Sequence, residues 1–90
     1  MEHIGIDLGS KESQVCVRSA AGEIIGEWRL RTDRLFVFLE GRPPARVILE
    51  TCTEAFRIAA QAQRVGHDVR VVAATRVRSL GVGHRGLKND

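Results

Sequence analysis

Three apolar residues follow one another at positions 47 to 49, between Arg46 and Glu50. A strand with one face in solvent alternates apolar and polar side chains, whereas an uninterrupted apolar run is typical of a strand that is covered on both faces. Strands of this kind belong to the parallel regions of α/β sheets. The run therefore predicts an α/β domain in which residues 46–50 form a strand of the parallel part.

Three further runs rich in β-branched residues precede this strand. They cover residues 3–8, 14–18 and 23–30, and glycine or serine follows the first two. Residues 19–22 end in a glycine, which suits the left-handed position of a hairpin turn between the second and third runs. We therefore expect three antiparallel strands at the start of the domain.

Two helices and a last strand complete the pattern. Thr32 or Asp33 can cap a short helix over residues 35–39, which Gly41 ends. Residues 51–54 match a capping box before a second helix, whose apolar spacing runs from residue 55 to residue 65 and stops at Gly66. Residues 69–73 form the fifth strand, and residues 75–80 a brief helical turn. The resulting order, βββαβαβ, predicts a ribonuclease H-like (RuvC-like) mixed sheet that lacks the final helix of that fold.

Composition and charge set the class of protein. With 43% hydrophobic and 28% charged residues, the chain is an ordinary small globular domain, which excludes collagen, wholesale disorder and a coiled coil. No apolar run reaches the roughly 18 residues of a membrane span, so we expect a cytoplasmic, nucleoid-associated protein with no membrane partner. Residues 1–80 form the predicted core, and residues 81–90 a glycine-rich flexible tail.

Two acidic residues stand where strands are predicted to end. Asp7 lies near the end of the first strand and Glu50 ends the fourth, so the two carboxylates converge if these strands pair. Two carboxylates at close range repel unless a cation lies between them, and oxygen ligands favour Mg²⁺ or Mn²⁺ over zinc. Gly5 and Gly9 flank the first acid and leave room for an ion or a phosphate. Asp90 is a candidate third ligand.

The cysteines and the tryptophan carry no separate chemistry in this interpretation. Cys16 and Cys52 lack metal-ligand spacing, and we expect both to be buried thiols. Trp28 stands at strand period, which favours a core position over a base-stacking platform. His67 and His84 are interpreted as turn and loop residues.

Several segments together resemble the N-terminal domain of DEDD transposases of the insertion sequence 110 type, whose catalytic domain is similar to the Holliday-junction resolvase RuvC. The matching segments are residues 4–9 (IGIDLG) with residues 11–14 (KESQ), residues 47–52 (VILETC), residues 66–67 (GH) and residues 88–90 (KND). The resemblance covers essentially the whole chain.

The resemblance implies a catalytic role for three acids. Asp7 corresponds to the first acid of the tetrad, Glu50 to the second and Asp90 to the third, while the fourth would come three positions later. The implied activity is metal-dependent cleavage and transfer of DNA strands, with Mg²⁺ or Mn²⁺ as cofactor. Family members also have a second domain with a catalytic serine and a structured RNA encoded by the element. We expect the isolated ninety-residue chain to be inactive.

The charge distribution fits a nucleic-acid partner. Residues 1–60 carry 8 basic and 9 acidic groups, whereas residues 61–90 carry 6 basic and 2 acidic groups. Guanidinium groups match phosphate oxygens, so a phosphate-bearing partner is expected at the basic end. The predicted contacts are Arg76, Arg78, Arg85 and Lys88.

Two alternatives remain open at this point. The first is an ATP-binding half-domain of the actin, hexokinase and chaperone-ATPase type, because Asp7 and Gly9 also fit the phosphate turn of those proteins. The second is a non-catalytic truncated transposase that forms a homo-oligomer through an open sheet edge.

Overall fold

The computed structural model of the chain describes residues 1–52 and 54–73. The strands are β1 (His3–Asp7), β2 (Glu12–Arg18), β3 (Ile24–Arg31), β4 (Arg46–Glu50) and β5 (Asp68–Val72). The helices are a 3-10 turn (Thr32–Arg34), α1 (Leu35–Glu40) and α2 (Ala55–Arg64). The predicted turn at 75–80, the tail at 81–90, the four basic contacts and Asp90 lie outside the described residues.

All five strands join one mixed sheet in the order β3-β2-β1-β4-β5. β1 is the central strand, antiparallel to β2 and parallel to β4. β5 adds a second parallel pair beyond β4, and β3 an antiparallel one beyond β2. The prediction of an α/β domain with a mixed sheet is confirmed.

Both helices pack on the same face of this sheet. Their buried side chains and alternate residues of the strands form a single apolar cluster around Ile4, Ile6, Val15, Val17, Leu35, Leu39, Val47, Leu49, Ile58 and Ala62. The strand members of the cluster occupy matched register positions, so they all point toward the helices. Ile48 points to the opposite face and is half-buried, so cover on both faces of β4 stays a prediction. No helix in the described part packs on that opposite face, which is called the open face below.

Two turns have the predicted glycine conformation. Gly22 closes the hairpin between β2 and β3 with φ +93, and Gly66 follows α2 with φ +101. The main chain of Ser19 accepts a hydrogen bond from Gly22 and donates one to Glu23, at 2.9 and 2.8 Å. A Cβ at either position would have no heavy atom within 4 Å. Glycine is therefore favoured at these positions by the positive φ and not by a lack of space.

The predicted helix caps are wrong, and tertiary contacts explain the difference. Neither helix has a side-chain cap in the structure. The hydroxyl of Thr51 instead donates to the carbonyl oxygen of Val72 at 2.9 Å, which ties the end of β4 to β5. Thr32 is buried and turns its hydroxyl toward the loop after β1. Both threonines therefore connect elements distant in sequence, which a local motif cannot reveal.

His67 is a buried structural residue between α2 and β5. Its Nδ1 accepts a hydrogen bond from the main-chain N–H of Ala45 at 3.1 Å. Its Nε2 lies 2.7 Å from the carbonyl oxygen of Leu39 and must be the donor there. The neutral ring thus joins the end of α1 to the start of β4, a role beyond the turn position predicted for it.

Three predicted core positions are wrong. Cys52 is exposed and Cys16 is half-buried on the open face. Trp28 lies in the outermost described strand and keeps 37% of its surface exposed. Its ring packs against Phe38 with centroids 5.3 Å apart, and the guanidinium of Arg42 lies 5.6 Å from the centre of the Trp28 ring.

No helix of the described residues is long and apolar enough to cross a membrane.

Candidate carboxylate site

Asp7 and Glu50 end neighbouring strands at the same end of the sheet. Asp7 is the last residue of β1, and Glu50 is the last residue of β4. The two strands are parallel, and Ile6 and Leu49 are the last residues paired in their register. Asp7 follows Ile6 and Glu50 follows Leu49, so the two acids lie side by side at the end of the strand pair.

The two carboxylates also share a face. Ile6 and Leu49 are fully buried under the helices, and strand residues alternate between faces. Asp7 and Glu50 consequently point to the open face, where both are half-buried. Partial burial weakens solvent screening, so two negative charges here favour a cation between them.

Neighbouring strands continue the row on which the two acids lie. Gln14 of β2 is the register partner of Asp7, and Arg29 of β3 is the partner of Gln14. On the other side, Val72 of β5 is the partner of Glu50. Gln14 and Arg29 are exposed. The row thus places an amide next to the carboxylate pair and a guanidinium one strand further out, on the same face.

Hydrogen bonds of two buried hydroxyl groups hold the turn that follows Asp7. Ser13 Oγ accepts from the N–H of Gly9 at 3.2 Å, and the hydroxyl of Thr32 donates to the carbonyl oxygen of Gly9 at 2.6 Å. The two hydroxyl oxygens lie 2.7 Å apart and are themselves hydrogen-bonded. The N–H of Thr32 also donates to the carbonyl oxygen of Lys11 at 2.8 Å. The start of β2 and the 3-10 turn after β3 therefore fix the backbone next to the first acid.

Gly9 has a different role from the one predicted. A Cβ at this position would collide with the carbonyl oxygen of Glu12, so the glycine admits the turn's own backbone and does not leave space for a ligand. Its N–H is engaged by Ser13. The phosphate turn of the ATP-binding alternative needs free backbone donors here, and the occupied N–H of Gly9 disfavours it.

The donor set suits a hard cation that keeps part of its water shell. Mg²⁺ binds proteins through one or two carboxylates and retains several waters, so Asp7 and Glu50 fit it without a complete protein cage. Within residues 1–52 and 54–73, no group of three or more histidine, cysteine, aspartate or glutamate side chains could hold a metal ion. Asp90, the predicted third ligand, lies outside these ranges.

Comparison with known proteins gives one informative similarity. The chain is similar to the transposase for insertion sequence element IS1328 from Yersinia enterocolitica. The two sequences are 31% identical over 75 residues, which make up 83% of this chain and 22% of the relative. The chain thus spans about a fifth of the length of the relative it matches. No family model matches the chain. The similarity supports a relationship to transposases, while the DEDD type stays a prediction.

Sequence reasoning missed three residues around the site. Ser13 and Thr32 are small polar residues within or beside strands, and only the tertiary structure shows that they bond to Gly9. Gln14 belongs to a segment quoted for the family resemblance, but its position beside Asp7 depends on the register of β1 and β2. The alternation of Gln14 with buried Ser13 and Val15 could have indicated that its side chain lies on the open face.

Proposed function

We propose that this chain is the N-terminal, ribonuclease H-like part of a DEDD-type DNA transposase, with Asp7 and Glu50 as ligands for catalytic Mg²⁺ or Mn²⁺. The observation that carries the proposal is the placement of the two acids side by side on adjacent parallel strands. The similarity to the IS1328 transposase supports the transposase part of this proposal independently of the site.

The carboxylates would position a divalent cation against a DNA phosphodiester. When bound, such an ion lowers the pKa of a coordinated water and offsets charge that develops on phosphate oxygens. Asp7 is held in place by the central strand, and the hydrogen bonds of Ser13 and Thr32 fix the turn behind it. Glu50 is held similarly, because Thr51 bonds to β5 through both its N–H and its hydroxyl. The backbone beside each proposed ligand is therefore anchored by hydrogen bonds.

DNA would approach from the open face, where both acids point. Asp90 is proposed as a third ligand, and Arg76, Arg78, Arg85 and Lys88 as contacts to DNA phosphates. All five assignments derive from the sequence and the family resemblance. A charge-reversal set at the four basic positions should reduce the salt-dependent DNA affinity of a full-length homologue, and unchanged affinity would remove that assignment.

Calorimetric titration of the ninety-residue chain with Mn²⁺ tests the metal site. We expect binding heat from the wild type and none above dilution from Asp7→Asn or Glu50→Gln. Glu23→Gln is the matched control, since Glu23 is an exposed carboxylate at the hairpin, at the opposite end of the sheet. Circular dichroism of each variant verifies the fold. Equal heats from wild type and Asp7→Asn would overturn the proposal.

A further inference from the structure

Four of the five arginines on the open face of the described sheet already have partners. Arg18 donates to a main-chain carbonyl oxygen at 2.9 Å, and the other three form ion pairs with aspartates at distances from 2.7 to 3.7 Å. Those three are Arg31, Arg46 and Arg70. The fifth, Arg29, is exposed, and its side chain makes no hydrogen bond or ion pair with residues 1–52 or 54–73. Its guanidinium is therefore available to a ligand.

Arg29 lies in the same cross-strand row as the carboxylate pair. Its register partner is Gln14, and the partner of Gln14 is Asp7. Neighbouring strands are about 4.8 Å apart, so the backbone of Gln14 lies roughly 5 Å from that of Asp7, and the backbone of Arg29 roughly 10 Å. Both side chains are exposed. The amide and the guanidinium thus extend the row outward from the acids on the open face.

The two flanks of the carboxylate pair differ in chemistry. On the β5 side, the next residue in the row is Val72, whose side chain has no polar atom. On the β2 side, the row continues with an amide and an unpaired cation. A divalent cation neutralises the two acids but leaves no excess positive charge to attract a phosphate backbone. Among the described residues of this row, Arg29 supplies that charge.

We infer that Gln14 and Arg29 bind successive phosphates of a DNA strand that crosses the sheet from the carboxylate pair toward β3, at right angles to the β-strands. Gln14 donates through its amide to the phosphate nearest the acids, and Arg29 holds the next phosphate through its guanidinium fork. Contacts to phosphates position DNA independently of base sequence. The inference rests on the proposed function for the identity of the ligand and adds the direction in which the strand leaves the site. Gln14 and Arg29 are called the phosphate track below.

The salt dependence of DNA binding tests Arg29. Each phosphate contact adds about 0.7 to the slope of log affinity against log salt concentration for single-stranded DNA, and about 0.9 for a duplex. Arg29→Gln should reduce the slope by about one such contact and weaken binding about tenfold at low salt. Fluorescence anisotropy of a labelled single-stranded oligonucleotide and of its duplex, titrated with the ninety-residue chain in Mn²⁺, measures both quantities. Circular dichroism verifies the fold of each variant.

Two other arginines provide matched controls. Arg31→Gln removes a guanidinium from the same strand and face, but one that is ion-paired with Asp33. Arg64→Gln removes an exposed arginine from the last turn of α2. Each variant changes the net charge by the same amount as Arg29→Gln, and each should keep the slope of the wild type. A fall in slope equal to that of Arg29→Gln in either control would show a diffuse charge effect and overturn the inference.

Gln14→Leu separates a phosphate contact from a metal ligand. The variant loses the amide donor beside Asp7, so DNA binding should weaken severalfold while the binding heat of Mn²⁺ stays at the wild-type value. Gln63→Leu removes an exposed amide of α2 and is the control. Loss of the Mn²⁺ heat from Gln14→Leu would make Gln14 a metal ligand and overturn its place in the phosphate track.

The phosphate track and the metal site fail in different ways. If Asp7→Asn keeps the Mn²⁺ heat while Arg29→Gln still lowers the salt slope, the metal site is wrong and the track stands. If the heat depends on Asp7 but Arg29→Gln binds DNA with wild-type affinity and slope, the track is wrong and the metal site stands. A wild type without salt-dependent DNA binding also overturns the track.

Discussion

At the scale of single residues, His67 shows how one side chain can hold separate elements together. It is 5% exposed and hydrogen-bonds through both ring nitrogens to main-chain groups of residues 39 and 45. These main-chain groups lie more than twenty positions away in sequence. The imidazole is therefore needed for its two polar atoms as well as its volume.

Replacing His67 with leucine should lower the free energy of unfolding by about 2 to 6 kcal/mol, because each of the two buried main-chain groups left unpaired costs about 1–3 kcal/mol. Urea denaturation followed by circular dichroism gives the value. His3→Leu is the control, since His3 is half-buried on the open face and its side chain makes no hydrogen bond within residues 1–52 and 54–73. Equal losses from the two variants would contradict the role given to His67.

Asp7 should behave in the opposite way in the absence of metal. Its carboxylate makes no hydrogen bond or ion pair with residues 1–52 or 54–73, and it lies beside Glu50. Asp7→Asn removes a like-charge contact, so stability should stay level or rise by about 0.2–1 kcal/mol. Thermal unfolding in a chelator measures this. A large fall in melting temperature would show that Asp7 is a structural residue.

At the scale of elements, the turn between β1 and β2 is the segment most tightly fixed around the site. Three hydrogen bonds join it to Ser13 and Thr32, and the carbonyl oxygen of Glu12 occupies the place of a side chain at Gly9. The turn reverses the direction of the chain between β1 and β2 and fixes the residue at which β1 ends. It therefore determines the position of the first acid.

Gly9→Ala should destabilise the domain by about 1–3 kcal/mol, because the added methyl group must displace backbone. Gly41→Ala is a close control, since a Cβ there meets its nearest heavy atom at an ordinary 3.6 Å. Chemical denaturation of both variants gives the comparison. Similar stabilities would show that the turn relaxes without cost.

At the scale of the whole molecule, binding at the carboxylate site should stabilise the fold. A ligand that binds the native state alone adds about 2.7 kcal/mol when its free concentration is a hundred times the dissociation constant. We expect Mn²⁺ to raise the melting temperature of the wild type and of Glu23→Gln, and to leave Asp7→Asn and Glu50→Gln unchanged. Equal shifts in all four proteins would place the metal elsewhere.

The sequence predicted the strands and the longer helix closely, because their signals are local. The strand β4 has the same bounds in the structure as in the prediction, and the bounds of β5 differ from the prediction by one residue at each end. Predictions for single polar side chains were less accurate. Thr32 and Thr51 were expected to cap helices, and each bonds instead to an element far along the chain.

The amino-acid sequence by itself determined where the strands and turns fall, since apolar periodicity and the conformational freedom of glycine act over a few residues. It also placed an acid at the end of β1 and another at the end of β4. Only the tertiary structure decided that the acids stand side by side, that Gln14 joins their row and that β3 is the outermost of the described strands on its side. These facts depend on strand order and register, which arise from contacts between residues distant in sequence.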